Sequence, residues 1–356
     1  VVVHSRHYAQ QVYPPNDLGP TAAFGPHPVG VRTLELEDPA RSHLTLAQNR
    51  PVVTEVYYPT TAEAAAGVPE DVATVIGIPL IATPTFRDVE RAPGRFPVVL
   101  FSHGNDGIRI QSLMFCARLA SHGFVVLSPD HHGNTFVDEL GGIEDPDAAS
   151  NRPLDLSFLL DELTLQEADP ASFLYEGVDL EKVGASGHSF GGYTTWAIAG
   201  GPFALGTFTD PRVKAILPQA PASSFFEDDF FATIALPTLV LGGTLDETTP
   251  FEPEQQAPFD LLSPGASVVA LAGLEGAGHI SFADFCEVPR NVLSFLGGFA
   301  EEACQPRHLP WRRARDLIAY LAVNFFDGVL NENAEALARL APERLLAIDD
   351  LTYQAK

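Results

Sequence analysis

The sequence predicts an α/β protein built on a doubly wound, mostly parallel sheet, and three observations predict it. Short apolar runs of the buried-strand kind recur, as in Phe96–Ser102 (FPVVLFS) and Gly123–Ser128 (GFVVLS). Helix-periodic segments separate them, so strand, helix and strand alternate. One short strand passes through a Gly-rich turn straight into a helix, between Lys182 and Ala199. Alternation of this kind needs a sheet with helices on both faces.

The elements follow in order. Val29–Leu36 and Val52–Tyr58 cluster β-branched residues and read as antiparallel N-terminal strands. Thr60–Arg95, rich in Ala, Pro and Gly, reads as an irregular excursion. Phe96–Ser102, a helix over Ile110–Ala120 and Gly123–Ser128 make one βαβ unit. Asn151-Arg152-Pro153 is a helix start, with Asn as cap and Pro in the first turn. Leu154, Leu156, Leu159, Leu160 and Leu163 then form its apolar face. Lys182–Ala185 is a strand and Tyr193–Ala199 a helix. Val213–Pro218, Thr238–Gly242 and Ser267–Leu271 are further strands. Trp311–Phe326 carries an apolar helical stripe, and Asn331–Ile348 reads as a second, amphipathic helix. With no repeat and no linker, residues 1–356 read as one domain. Its core runs over about 96–300, the N-terminal strands and excursion over 1–95, and the C-terminal helices over about 310–348.

Composition narrows the function. The chain has 356 residues, 46% of them hydrophobic, which excludes a disordered chain. Its formal charge of −25 argues against nucleic acid and anionic membrane surfaces as partners, since both need basic patches. Only Lys182, Lys214 and Lys356 are lysines; the other basic residues are arginines. The longest charge-free stretch, Val183–Thr209, is broken by Gly, Ser, Thr and His, so no transmembrane helix is expected. The chain opens on Val1 and shows no basic stretch leading into an apolar run, so a leader is expected to have been removed or to lie outside this chain. Cys116, in an apolar helical pattern, reads as a small buried hydrophobe. Cys286 and Cys304 lie 18 residues apart. A disulfide there, adding about 3 kcal/mol, is the expectation and implies export to a secreted or periplasmic location; two reduced thiols are the alternative.

The sharpest motif is Gly187-His188-Ser189-Phe190-Gly191, a G-x-S-x-G pattern between an apolar strand and a helix. That is the context of a nucleophile elbow, where small residues flank a serine because the turn is tight. A serine hydroxyl needs a base and an orienting acid. Of the histidines, only His279 and His308 follow Ser189. His308 precedes Pro310 and reads as a surface cap. His279, in Gly276-Ala277-Gly278-His279, follows a strand, where α/β sheets place their sites, and is the expected base. Asp246 follows the strand Thr238–Leu241 and is the expected acid, ahead of Asp210, Asp228, Asp229, Asp260 and its neighbour Glu247. The order Ser189, Asp246, His279 is that of α/β-hydrolases. The oxyanion donors are expected to be the backbone amides of Phe190 and of Asn105, in the loop leaving Phe96–Ser102. His103 and His188 read as structural. His131-His132 beside Asp130 lacks a further ligand pattern, and no catalytic metal or cofactor is expected.

Ser102-His103-Gly104, the segment Ala120–Val126, Gly187–Gly192 (GHSFGG) and His279–Phe285 resemble the platelet-activating-factor acetylhydrolase group. Pro28–Arg32, Glu55–Pro59 and Arg152–Leu160 resemble bacterial dienelactone hydrolase-like proteins. The resemblance runs from about Gly25 to Phe295. It implies an α/β-hydrolase fold, no cofactor and hydrolysis of carboxylic esters. It makes Ser189 the nucleophile, Asp246 the acid, His279 the base, and Asn105 with Phe190 the oxyanion donors. Dienelactone hydrolases carry Cys where this chain has Ser189, so that activity is not implied.

The expected function is a secreted serine esterase acting through an acyl-enzyme on short-chain acyl esters, or on short-acyl or oxidised phospholipids. Tyr193, Trp196, Ile280 and Phe282 are the expected lining of an apolar substrate pocket. Phe225–Phe231 reads as a cap or lid. Thr60–Arg95, Asn134–Ser150 and Pro221–Leu236 are expected to shape the pocket. The alternatives are a lipase or polyester hydrolase with an open aromatic cleft and, from a different class, a non-catalytic binding module on the same fold.

Overall fold

The computed structural model describes residues 18–289 and 304–356. The expected boundary near residue 300 and the start of the chain lie outside the described residues. The strands are β1 (Val29–Ser42), β2 (Asn49–Pro59), β3 (Glu70–Val75), β4 (Ile78–Arg87), β5 (Phe96–Ser102) and β6 (Val125–Pro129). They continue with β7 (Val178–His188), β8 (Val213–Gln219), β9 (Thr238–Gly243), β10 (Val269–Leu274) and β11 (Leu351–Ala355). All belong to one sheet in the order β11-β10-β9-β8-β7-β5-β6-β2-β1-β4-β3. The run from β10 to β6 is parallel throughout. β2 joins it antiparallel through Thr54↔Pro129, and β1 pairs antiparallel with β2. This is the doubly wound α/β architecture that the apolar runs predicted, and it is consistent with the α/β-hydrolase fold that the resemblance implies.

The two faces follow from the period-two alternation of strand side chains. In β5, Val99 and Phe101 face one side, with the helices Leu113–Ser121 and Trp311–Leu330. Val98 and Leu100 face the other, against Leu156, Leu159, Leu160 and Leu163 of the helix Ala148–Ala168 and against Trp196. Lys182 and Lys214 stand near the N-terminal ends of β7 and β8. Cys116 is buried and free, and Cys286 is bonded to Cys304. Among the described residues no helix is long and apolar enough to cross a membrane.

Three expectations are corrected. Thr60–Arg95 is not irregular: it holds the antiparallel hairpin β3–β4, whose β4 adds to β1 in parallel. Pro79 and Pro84 masked β4, yet both are tolerated near the sheet's outer margin. The helix expected from Asn151 begins at Ala148, with Asn151 inside it donating to Asp145 Oδ2 at 2.9 Å. Pro153 therefore lies in the helix interior, where it has no N–H to offer the Ala149 carbonyl. That carbonyl instead accepts from the Tyr193 hydroxyl at 3.0 Å. Asn331–Ile348 is not one helix but two short ones, Ala334–Arg339 and Pro342–Leu345, broken where Pro342 cannot continue the first. The strand β11 then closes the β10 edge.

A buried ion network ties β2 to the helix Ala148–Ala168. Arg50 forks onto Asp155 at 2.9 and 3.0 Å and reaches Asp145 at 3.0 Å. Asp155 Oδ2 also accepts from His131 Nδ1 at 2.9 Å. These bonds hold the Asp155 carboxyl well below the usual carboxylate range despite its burial. Removing one partner strands the others in a dry interior. Arg50→Met is therefore expected to lower unfolding free energy by about 3–5 kcal/mol, read from the urea midpoint at neutral pH. An unchanged midpoint would show that the network adds no stability.

Candidate active site

Ser189 sits between β7 and the helix Phe190–Ala197 with φ 58° and ψ −116°, a conformation that costs about 1–3 kcal/mol for a residue with a side chain. The flanking glycines explain how it is held. A Cβ on Gly191 would be driven into the Ser102 carbonyl oxygen at the end of β5. A Cβ on Gly187 would strike the Gly191 carbonyl. The Ser189 amide donates to the Gln219 carbonyl at 2.9 Å, and its own carbonyl accepts from Ala222 at 3.1 Å. Ser189 stays half-buried, so its hydroxyl is reachable.

Asp246 and His279 come together at the ends of β9 and β10. The Leu245 amide donates to the Ala277 carbonyl at 2.9 Å, and the Gly276 amide to Thr244 Oγ1 at 2.9 Å, so the two loops are laced together. His279 Nδ1 lies 2.8 Å from Asp246 Oδ2, and both side chains are buried. Asp246 Oδ1 accepts the amides of Thr248 and Thr249, each at 2.8 Å, which fixes the carboxylate's orientation. The His279 ring lies against that of His188, centroids 4.6 Å apart, and His188 Nε2 lies 2.9 Å from the His279 carbonyl. The base thus stands over the residue preceding Ser189.

The loop after β5 packs on the elbow. A Cβ on Gly104 would lie 3.4 Å from the Ser189 Cβ. The Gly104 amide is taken by Gln111 Oε1 at 3.0 Å, whereas Asn105 is exposed at the turn. The Phe190 amide opens a helix, one of the N–H groups a helix leaves without an internal acceptor. His103 Nδ1 lies 2.7 Å from the Gly104 carbonyl, and its Nε2 accepts from the His131 amide at 3.2 Å. Burial pushes His103 and His188 well below the ordinary histidine range, and His131 down to about 3.

Three residues that sequence reasoning missed complete the arrangement. Thr249 Oγ1 lies 2.9 Å from Asp246 Oδ2 and 3.1 Å from His279 Nδ1. Its sequence signal was an Asp followed within three residues by two threonines, the spacing of a side-chain-capped turn. Gln111 bridges Gly104 and His188, with Nε2 at 3.0 Å from His188 Nδ1. Arg152, fully buried, bonds Thr194 Oγ1 at 3.2 Å, Asn134 Oδ1 at 2.5 Å, Ser102 Oγ at 3.2 Å and the His103 carbonyl. Its guanidinium also lies 4.8 Å from the Phe190 ring centroid. Asn134 in turn donates to Asn105 Oδ1 at 2.9 Å.

The expected pocket lining is corrected. Tyr193 and Trp196 are fully buried on the inner side of the elbow helix, and Trp196 Nε1 donates to Ser223 Oγ at 3.1 Å. Ile280 and Phe282 are buried too, Phe282 stacking on His188 at 6.0 Å. All four pack the site from within. Phe226, Phe230 and Phe231 of the expected lid are core, and only Phe225 is open, its ring 5.4 Å from that of Phe190. His308, expected at the surface, is buried. Glu247 is exposed and Asp210 is paired with Arg212. His131 is spent on Asp155 and Ser102, and His132 faces Asp138 at 3.6 Å. Among the described residues no group of three His, Cys, Asp or Glu side chains could hold a metal ion.

A family model described as PET hydrolase-like matches residues 91–296, more than half of the chain and all of the elbow, acid and histidine loops. The chain belongs to the PET hydrolase-like family. Cutinase est1 of Thermobifida alba is 28% identical over 191 residues, 54% of this chain and 56% of that protein. Cutinase 2 of Thermobifida cellulosilytica is 28% identical over the same share of this chain and 63% of its own. For cutinase cut1 of Thermobifida fusca the figures are 28%, 54% and 52%. The chain thus spans about half the length of the curated relatives it matches. Membership of the PET hydrolase-like family bears out the expected serine-esterase branch of the α/β-hydrolase superfamily, while these comparisons do not confirm the finer resemblance to acetylhydrolases and dienelactone hydrolases.

Two outcomes follow from the geometry. Gly191→Ala should destabilise by about 1–3 kcal/mol or prevent soluble folding, measured by urea unfolding; wild-type stability would contradict the close approach to Ser102. Three buried histidines whose folded pKa values are lowered stay neutral while the unfolded chain takes up protons below its ordinary histidine pKa. The unfolding midpoint should therefore fall as pH drops from about 6.5 toward 4. A flat midpoint over that range would contradict their burial.

Proposed function

We propose that the protein is a serine carboxylic-ester hydrolase acting through an acyl-enzyme, with polyesters as its substrate class. The observation that carries this reading is the buried Asp246–His279 pair, 2.8 Å apart, standing over His188, the residue that precedes the half-buried Ser189. Ser189 Oγ attacks the ester carbonyl while His279 takes its proton. Asp246, oriented by two backbone amides and Thr249, holds His279 in the tautomer with the proton on Nδ1 and stabilises its charged form. The Asn105 and Phe190 amides receive the oxyanion. His279 then gives its proton to the leaving alcohol, and water hydrolyses the acyl-enzyme.

Two observations favour a polyester over a small acyl ester. Phe225 is 50% exposed and packs on the half-buried Phe190 beside the nucleophile, an open aromatic surface instead of a closed acyl tunnel. The family description and the cutinase relatives point the same way. The Cys286–Cys304 disulfide supports an exported enzyme, because such bonds persist in oxidising compartments.

The test compares wild type with Ser189→Ala on p-nitrophenyl esters from acetyl to palmitoyl and on a polyester film. Wild type should release soluble products from the film, and Ser189→Ala should lose turnover by at least about 10⁴-fold while staying folded. Hydrolysis confined to short p-nitrophenyl esters would replace the polyester reading with the short-acyl one. No turnover and no labelling of Ser189 by a fluorophosphonate would leave a binding module. Thr249→Val should lower kcat about tenfold with KM little changed; equal activity would remove Thr249 from the acid–base pair.

A further inference from the structure

A second cavity of about 400 Å³ opens between the β3–β4 hairpin, the N-terminal half of β2 and the loops after β5 and β6. That is the size of a small-molecule site. We infer that this cleft binds a neutral, apolar segment of the ester substrate remote from the bond being cleaved. The inference rests on the esterase reading of Ser189 and deepens it.

The cleft lies on the same edge of the sheet as Ser189. β5, β6 and β7 are parallel and end there, and β2 pairs Thr54 with Pro129, which sets Val53 beside the end of β6. In the order β7-β5-β6-β2 the cleft is two to three strands from the elbow, about 10–14 Å at ~4.8 Å per strand. One loop joins the two places. Its Gly104 packs against Ser189, and its Ile108 and Ile110 line the cleft. An extended chain held at Ser189 can run along this loop into the cleft.

The walls favour an apolar guest. Val53, Ile76, Ile108, Ile110, Val137 and Ile143 are among the cleft's lining residues. The charged groups are already matched. Arg109 bonds Asp130 at 2.5 Å and Glu55 at 3.3 Å, and His132 faces Asp138 with its ring tilted against that of His43, centroids 4.1 Å apart. No unmatched charge calls for an ionic ligand.

Ile76 supplies an independent sign. With Gly77 it forms the two-residue turn of the β3–β4 hairpin, at φ 44° and 77°. Such a turn favours Asn-Gly, and a β-branched residue there is strained. Ile76 gains no core packing in return, being 66% exposed. A local rule broken without structural gain marks a functional position. The hairpin and β2 also precede residue 91, so this wall lies outside the family match.

The test uses the full chain and two surface variants, Ile76→Asn and Val137→Asp. Asn suits the turn, so Ile76→Asn should keep or raise the unfolding midpoint. Both variants should lower kcat/KM about tenfold for the diethyl ester of dodecanedioate, through KM, and leave the succinate diester and p-nitrophenyl acetate unchanged. An equal effect on long and short esters, or none on the long one, overturns the proposal. A calorimetric titration of Ser189→Ala with the diethylamide of dodecanedioate, which is not hydrolysed, separates this from the esterase reading. Binding weakened about tenfold by Ile76→Asn supports the cleft even if no ester is turned over; binding indifferent to Ile76 overturns it even if esters are.

Discussion

The structure turns on one close approach, that of the Gly191 backbone to the Ser102 carbonyl. Because Gly191 has no Cβ, the chain leaving β7 can bend this sharply against β5, with Ser189 at a positive φ. That bend lifts the serine to the edge of the sheet and starts a helix directly behind it. It also joins β5 to β7, since the loop after β5 packs directly on the elbow. The strain at Ser189 is offset by the sheet around it, where β7 is paired on both sides.

Beneath that contact lies a layer of buried charge. Arg152 ties Ser102 and His103 to Thr194 and, through Asn134, to Asn105, so one side chain links the end of β5 to the elbow helix. Arg50, Asp155 and His131 continue the layer under β2 and β6. Planar guanidinium forks suit this task, since each holds its donors in a rigid plane that can bond both oxygens of one carboxylate. The buried arginines give the Arg-rich, Lys-poor composition a physical use.

The parallel strands, the elbow and the acid and histidine loops were legible in the sequence because each is written locally. A run such as FPVVLFS, a glycine-flanked serine, and an Asp or His just past a strand need no distant partner to be recognised. What was not legible depends on distant partners. β4 contains prolines that a central strand would not tolerate, and only its place near the margin permits them. β11 is half exposed and forms because β10 offers it an edge. Tyr193 and Trp196 looked like pocket aromatics, yet the helical phase that aims Ser189 outward turns them inward. Arg152 looked like a helix-start residue because nothing local announces that Ser102, His103 and Thr194 converge on it.

The placing of the lysines bears on how the protein can be attached to a surface. Lys214 is exposed and Lys182 half-buried, and both lie near the N-terminal ends of their strands, at the edge opposite Ser189. The ammonium of Lys356 is engaged by the carbonyls of Phe259, Asp260 and Leu262. Lys182 and Lys214 are bonded more lightly, to Asn331 Oδ1 at 3.3 Å and to the Pro211 carbonyl at 2.8 Å. Amine-directed immobilisation through these two side chains would anchor the molecule by its back and leave the elbow, the aromatic surface and the cleft beside the β3–β4 hairpin facing the solution.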